Sequence, residues 1–214
     1  MTASPLTRRQ WLALGATGAG ALATGHWLRT GQSAGRDVSG IMDVAALLNA
    51  PGFPAEGPRN GKVTMLVFSD YACSVCRAVE PDWRAAARDI GSVRIVHRDW
   101  PILGPDSLRA ARVALAASYQ GLYPRLNAAL MRDGRHDEVS LRRQVARLGG
   151  SWKRVEADLA RHGEDIARLL ARTAQDALQL GFGGTPGYLI GPIRIAGAAS
   201  RNQFADAMER ARAR

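Results

Sequence analysis

The sequence of 214 residues predicts an α/β domain that is interrupted by a helical insertion. Three observations predict this fold class. Two apolar segments, 62–68 and 93–98, flank one helical segment. A long stretch from residue 107 to about residue 180 has helical periodicity. A short hairpin pattern at 188–195 then precedes a last helix.

The elements before the insertion follow from local signals. Residues 35–61 are predicted to be an N-terminal extension and linker, with a short apolar helix at 44–48 and three prolines before an Asn-Gly turn at 60–61. The strand 62–68 is apolar on both faces, as a central buried strand requires. A helix then runs from Cys73 to about Ile90, and the strand 93–98 follows it.

The elements after residue 107 are mostly helical. Apolar residues recur there at spacings of three and four, which is most simply core packing. A glycine-rich loop at 181–187 ends the insertion, the hairpin turns at Gly191-Pro192, and Ser200 caps the last helix. We therefore expect the insertion to separate the first two strands from the hairpin.

The two cysteines of the chain, Cys73 and Cys76, lie where the first strand runs into the helix. Unpaired N–H groups and the macrodipole at a helix N-terminus favour a thiolate, so the pKa of Cys73 should fall. Cys76 is one helical turn away, close enough for a disulfide. We expect Cys73 to be the exposed thiol that attacks a partner's disulfide, and Cys76 to be the buried thiol that resolves the mixed disulfide.

The sequence gives less support to other functions of this cysteine pair. A zinc site needs four ligands, and His97, His136 and His162 lack the spacing that would complete one. A copper-handling protein could use the two thiols as soft ligands, although no methionines cluster near them in sequence. A peptide-binding chaperone without redox turnover is a third possibility. The sequence predicts no cofactor and no metal ligand.

The first 34 residues have the pattern of a twin-arginine export signal. Arg8-Arg9 precede a weakly apolar stretch at 11–28 without acids, and cleavage sites are plausible at 21–23 and at 33–34. The alternative is an uncleaved membrane anchor, because a stretch of about 18 residues can just span a bilayer. Export would place the protein in the periplasm or cell envelope, a compartment that tolerates disulfides.

The net charge of +10 does not indicate nucleic-acid binding. Arginine supplies almost all of the positive charge, and it is spread along the helical segments without a dense block. The expected partners are cysteine-containing client proteins and a redox partner that recycles the dithiol. A membrane is expected only if the N-terminal segment is retained.

The chain resembles the DsbA family, in the branch whose members contain Phe-x-Asp-Tyr-x-Cys-x-x-Cys. The matching residues here are Phe68-Ser69-Asp70-Tyr71-Ala72-Cys73-Ser74-Val75-Cys76. Further matches are Arg98–Gly104 followed by Ser107, the helix 110–117 with Gln120-Gly121-Leu122-Tyr123 after it, and Gly184-Thr185-Pro186-Gly187-Tyr188. The resemblance covers about residues 44–210.

This resemblance implies a thioredoxin fold with an inserted helical subdomain for residues 62–214. It also implies that Cys73 is the nucleophile, that Cys76 is the resolving thiol, and that a cis peptide bond before Pro186 faces them. The main chain of Thr185 and Pro186 would then bind an extended substrate segment as an added strand.

Two departures from the family bear on the direction of the reaction. Val75 stands where the strong oxidants have histidine, so a charge that stabilises the Cys73 thiolate is absent. Val67 stands where many members have a buried glutamate, so proton transfer at Cys76 needs water or another group. A less stabilised thiolate predicts a disulfide that is less oxidising than those of the strong oxidants.

Overall fold

The computed structural model describes residues 35–40 and 43–213. The export signal predicted for residues 1–34 lies outside these ranges. The predicted α/β class is confirmed, because a six-stranded mixed sheet is combined with helices and the helical insertion interrupts it. Within the described ranges, no helix combines the length and apolarity needed to cross a membrane.

The elements follow one another in the predicted order. The strands are β1 Arg36–Asp37, β2 Ala55–Glu56, β3 Val63–Ser69, β4 Val93–Asp99, β5 Gly187–Ile190 and β6 Ile193–Ala196. The helices are α1 Val44–Leu48, α2 Ser74–Ile90, α3 Pro105–Ala117, α4 Tyr123–Asp133, α5 Glu138–Arg147, α6 Trp152–Gln179 and α7 Arg201–Arg212, with a short 3-10 turn at Ser118–Gln120.

The strands lie in the order β1-β6-β5-β3-β4-β2, which places β3 inside the sheet. β3 is parallel to β4 and antiparallel to β5, with Phe68 opposite Gly187. The C-terminal end of β3 therefore meets the N-terminal end of β5. This register brings the cysteine loop after β3 next to the glycine-rich loop before β5.

The side chains of β3 alternate between two cores, as the pleat of a strand requires. Met65 and Val67 pack in one core with helices α2 and α7, whereas Leu66 and Phe68 pack in the other with α1 and the end of α6. The prediction of a strand buried on both faces is confirmed. A third core lies within the helical insertion, and Tyr71 from the cysteine loop packs into it.

Two features of the fold were not visible in the sequence. Residues 35–61 contain β1 and β2, which pair with β6 and β4 at the two edges of the sheet. Each strand has two residues, too few to show a period-two pattern. The apolar repeats on either side of Gly163 also belong to a single helix, α6, of 28 residues.

Candidate active site

Cys73 is the N-cap residue of α2. Its backbone has extended geometry, and its Sγ accepts a hydrogen bond from the backbone N–H of Cys76 at 3.0 Å. A thiol thus takes the place that a serine or aspartate side chain usually takes at a helix start. The predicted position of the dithiol at the first turn of the helix is confirmed. Both cysteines are free thiols in this structure.

The surroundings of the two thiols separate their pKa values. A hydrogen bond donated by the Cys76 thiol lowers the pKa of Cys73 most, and bonds from the Thr185 side chain and the Cys76 N–H add to it. These outweigh burial and bring the pKa of Cys73 to about 6. The same bond to Cys73, together with burial, raises the pKa of Cys76 above its ordinary value. Cys73 is therefore the thiolate at neutral pH.

The prediction that Cys73 is exposed is wrong for this structure. Cys73 is 5% exposed and Cys76 is 3% exposed, so both residues are buried. The reason is that the Thr185 main chain lies against the Cys73 sulfur while the first turn of α2 covers its other side. The two thiols differ in pKa and hydrogen bonding more than in exposure.

Thr185 and Pro186 stand beside the dithiol. The Thr185–Pro186 peptide bond is cis, as the resemblance implied, and the Cys73 Sγ lies 3.5 Å from the Thr185 carbonyl oxygen. The next residue, Gly187, packs so tightly that a Cβ atom there would lie 2.9 Å from the ring of Phe182. The structure therefore brings together the four site residues expected from the sequence at one end of β3 and β5, namely Cys73, Cys76, Thr185 and Pro186.

Asp70 organises the loops around the dithiol, a role that the motif alone did not reveal. Its buried carboxylate accepts hydrogen bonds from the N–H groups of Ala72, Ile102 and Leu103 at 2.8 to 2.9 Å, and from the Ser107 hydroxyl. These bonds tie the cysteine loop to the start of α3. They hold an exposed apolar pair, Ile102 and Leu103, on the Asp70 side of the site.

Val75 lies between the two cysteines and is 44% exposed. It therefore presents an apolar surface at the start of α2, at the position where the strong oxidants of the resembled family carry histidine. A charged side chain placed here would add to the electrostatics of the first helical turn, because the site is exposed and next to both thiols.

A charged network lies on the Cys76 side of the site. Arg84 binds Glu80 and Glu56 at 2.7 Å each, and His97 Nε2 lies 2.9 Å from Glu56. Burial raises the pKa of Glu56, but the hydrogen bond and charge of His97 and the charge of Arg84 outweigh it and lower the pKa to about 2. Sequence reasoning missed this network. The available signal was the spacing of Cys76 and Glu80, which places them on one face of a helix.

The network continues into the insertion through buried polar groups. Arg84 donates to Asn127 at 3.5 Å, Asn127 donates to the Tyr71 hydroxyl at 3.2 Å, and Tyr123 donates to Asp99 at 2.8 Å. Burial raises the pKa of Asp99 to about 6, against the hydrogen bond from Tyr123. Among the described residues, no group of three or more His, Cys, Asp or Glu side chains is placed to hold a metal ion.

Comparison with known proteins gives the family. Residues 50–210 match the family model described as thioredoxin. The chain belongs to the thioredoxin family. The match covers the strands β2–β6, the dithiol helix and the whole helical insertion, and it ends within the last helix.

Solved structures of thioredoxin-family proteins share the fold. A thioredoxin-like oxidoreductase from Silicibacter pomeroyi is 33% identical, with a TM-score of 0.76 over 81% of this chain and 99% of that one. The thiol-disulfide exchange protein alpha-DsbA2 from Wolbachia pipientis is 25% identical, with a TM-score of 0.74 over 81% of this chain and 92% of that one. The predicted DsbA-like thioredoxin fold is therefore confirmed.

Curated relatives include much longer proteins. The Na(+)/H(+) antiporter NhaA 3 of Salinispora tropica is 32% identical over 183 residues, which is 78% of this chain and 27% of the antiporter. NhaA 1 of Salinispora arenicola is 29% identical over 74% of this chain and 24% of its own length. The chain spans about a quarter of the length of the curated relatives it matches.

Proposed function

We propose that this thioredoxin-family chain is an exported protein thiol–disulfide oxidoreductase. Through Cys73 and Cys76 it forms, reduces or reshuffles disulfides in cysteine-containing client proteins. One observation carries the proposal: a dithiol at a helix N-terminus in which hydrogen bonds lower the pKa of Cys73 to about 6 while the pKa of Cys76 is raised. A thiolate nucleophile and a protonated resolving thiol are the pair that exchange requires.

The reaction in the reducing direction has two steps. The Cys73 thiolate attacks one sulfur of a client disulfide, a mixed disulfide forms, and one client thiolate leaves. Cys76 then loses its proton and attacks the Cys73 sulfur, which releases the second client thiolate. The two client thiolates take up protons, and the Cys73–Cys76 disulfide is left for a redox partner to reduce. Oxidation of a client dithiol runs through the same steps in reverse.

Client binding is proposed for the main chain at Thr185 and Pro186. Thr185 is half-buried beside the Cys73 sulfur and lies two residues before Gly187, the first paired residue of β5. An extended client segment that pairs with this main chain would hold its cysteine near Cys73. Backbone pairing does not depend on side-chain identity, which suits an enzyme with varied clients.

Export is proposed from the sequence of residues 1–34. The twin-arginine pattern supports transport to the periplasm or cell envelope, where disulfide exchange has substrates. Cell fractionation followed by N-terminal sequencing tests this step. A mature chain that begins after residue 23 or after residue 34 supports cleavage, an intact chain in the membrane fraction supports a retained anchor, and an intact cytoplasmic chain contradicts export.

Thiol exchange is tested with insulin as the disulfide substrate and dithiothreitol as the reductant. The wild-type protein should accelerate the reduction, Cys73→Ser should abolish the acceleration, and Cys76→Ser should accumulate a covalent protein–insulin adduct at Cys73. Full activity in Cys73→Ser contradicts the proposal. Insulin binding without acceleration in the wild-type protein, retained in the double variant, would instead indicate a peptide-binding chaperone.

A further inference from the structure

A small cavity lies against Cys76. Its volume is about 10 Å³, which is room for one water molecule. It is lined by apolar side chains and by six residues with polar side chains or a thiol: Ser69, Cys76, Glu80, His97, Asn127 and Tyr188. The Nδ1 atom of His97 is buried and has no hydrogen-bond partner among the described residues. A polar lining of this kind favours occupation by water over a dry void.

Cys76 needs a base before it can act as a nucleophile. The hydrogen bond from Cys76 to Cys73 and the burial of Cys76 raise the pKa of the Cys76 thiol, so this thiol is protonated. Because the thiol is also buried, hydroxide from bulk water has poor access to it. Val67 lines the same cavity and has no group that accepts a proton. Among the side chains that line the cavity, Glu80 alone carries a carboxylate.

Glu80 is placed to pass a proton between the cavity and solvent. It follows Cys76 by one helical turn on α2, and its side chain is 12% exposed, so it reaches from the cavity toward the surface. Arg84 on the same helix binds its Oε1 at 2.7 Å and keeps the carboxylate oriented. This arrangement joins a buried thiol to water outside through one carboxylate.

The charges around Glu80 come from several elements. Arg84 lies on α2 with Cys76, Glu56 of β2 shares Arg84, and His97 of β4 lines the cavity. Tyr188 of β5 also lines it, and burial followed by the charges of Cys76, Cys73 and Glu80 raises the pKa of its hydroxyl. Tyr188 therefore stays protonated at neutral pH and does not compete with Glu80 as a base.

We propose that Glu80 exchanges the proton of Cys76 through one water molecule held in this cavity. The inference rests on the proposed thiol–disulfide exchange and assigns a residue to one of its steps. In the reducing direction the Glu80 carboxylate takes the Cys76 proton through the water, and the Cys76 thiolate attacks the Cys73 sulfur. In the oxidising direction a client thiolate attacks the Cys73 sulfur, and the departing Cys76 thiolate takes the proton back from Glu80.

The experiment separates the two sulfur steps with dithiobis-nitrobenzoate, a disulfide whose thiolate product is coloured. In stopped flow, reduced protein should release one coloured thiolate as Cys73 attacks and a second as Cys76 resolves the mixed disulfide. Glu80→Gln should leave the first phase unchanged and slow the second phase about 100-fold at neutral pH, the scale of general acid–base catalysis. Its second-phase rate should then rise in proportion to hydroxide concentration.

Glu56→Gln is the matched control. Glu56 also binds Arg84 at 2.7 Å, but it does not line the cavity. This variant should retain the second-phase rate of the wild-type protein. Equal slowing of the second phase in both variants overturns the proposal, because the effect would then belong to the ion pairs of Arg84. A wild-type second phase in Glu80→Gln also overturns it.

The wild-type protein provides a test that does not depend on how a variant folds. Its second-phase rate should become independent of hydroxide concentration at a pH far below the raised pKa of Cys76, because Glu80 and not hydroxide takes the proton. A rate that instead rises in proportion to hydroxide over the whole pH range overturns the role of Glu80. If the first phase is absent in the wild-type protein, the proposed exchange itself fails, and the two failures are thus distinguishable.

Discussion

The Sγ atom of Cys73 lies 3.5 Å from the carbonyl oxygen of Thr185, although the two residues are 112 positions apart in the chain. The contact exists because β3 and β5 are antiparallel with Phe68 opposite Gly187, so the loop after one strand meets the loop before the other. The sheet register thus determines the surroundings of the thiol as much as the Cys-x-x-Cys turn does. In the proposed exchange, a client disulfide that reaches Cys73 would meet the Thr185 main chain at the same time.

Cys76→Ala should raise the pKa of Cys73. The hydrogen bond from the Cys76 thiol contributes most to lowering that pKa to about 6, and alanine removes it while keeping the backbone N–H that also binds Sγ. The rate of iodoacetamide alkylation at Cys73, followed against pH, measures the change. The midpoint should move from about 6 toward the ordinary thiol value of 9.0.

Two further variants test whether the change in the Cys73 pKa comes from the lost hydrogen bond. Thr185→Val removes a hydroxyl that also lowers the pKa of Cys73, so it should move the midpoint in the same direction by a smaller amount. Val75→Ala changes a neighbouring side chain that makes no hydrogen bond to Sγ and should leave the midpoint in place. A midpoint in Cys76→Ala equal to that of the wild-type protein would show that the helix start alone sets the pKa.

Gly187→Ala should destabilise the fold. A Cβ atom at this position would lie 2.9 Å from three atoms of the Phe182 ring, closer than packed carbon atoms tolerate. Overpacking of this kind costs about 1–3 kcal/mol in the free energy of unfolding. Urea denaturation followed by circular dichroism measures the loss.

Gly183→Ala is the control in the same loop, since a Cβ atom there meets nothing within 4 Å. It should leave the free energy of unfolding almost unchanged. Phe182→Leu combined with Gly187→Ala should recover part of the stability, because the ring that causes the overlap is gone. Equal stability of both single glycine variants would mean that Phe182 moves aside without cost.

The local signals in the sequence were sufficient for the main elements. β3 and the hairpin of β5 and β6 have patterns that a few neighbouring residues specify. Ser200 begins α7 with the predicted cap, strengthened by a capping box with Gln203. The start of the dithiol helix was also predictable from neighbouring residues, because Cys73 caps the first turn of that helix through a hydrogen bond with Cys76.

The features that the sequence did not predict depend on contacts between distant residues. The cysteine burial comes from Thr185, and the role of Asp70 depends on the loop at 102–107 that reaches back to it. The ion pair between Arg84 and Glu56 joins the dithiol helix to β2, and His97 of β4 contacts the same Glu56. No local pattern encodes such contacts, so only the folded chain reveals them.

Asp99 should make the protein less stable as pH rises from about 4 to about 6. Burial raises its pKa from 3.8 to about 6 in the folded chain. Between these values the folded state holds a proton that the unfolded state has lost, so stability falls with rising pH and levels off above the folded pKa. A shift of about two units corresponds to roughly 3 kcal/mol.

Asp99→Asn keeps an oxygen that accepts the Tyr123 hydrogen bond but does not titrate. The difference in the free energy of unfolding between wild type and variant, measured by urea denaturation at several pH values, isolates the contribution of Asp99. The free energy of unfolding of the variant should increase relative to that of the wild-type protein as pH rises from about 4 to about 6. Asp106→Asn, an exposed control, should show no such gain, and a constant difference for Asp99→Asn would contradict the raised pKa.

Val75→His should make the Cys73–Cys76 disulfide more oxidising. Val75 is 44% exposed between the two thiols, so an imidazolium there would stabilise the Cys73 thiolate and with it the reduced form. For this two-electron couple, about 1.4 kcal/mol of added stabilisation shifts the potential by about 30 mV. Without that charge, we expect the wild-type potential to lie below about −120 mV, the value of a strong oxidant.

Equilibration with glutathione buffers measures the potentials, and alkylation against pH measures the Cys73 pKa in the same variants. Val75→His should raise the potential and lower the Cys73 pKa together, because both follow from a more stable thiolate. Val75→Asn, which is polar but uncharged, should change both quantities less and so separates charge from polarity. A wild-type potential already at the strong-oxidant end, unmoved by histidine, would mean that the hydrogen bonds from Cys76 and Thr185 set the potential without any charge at position 75.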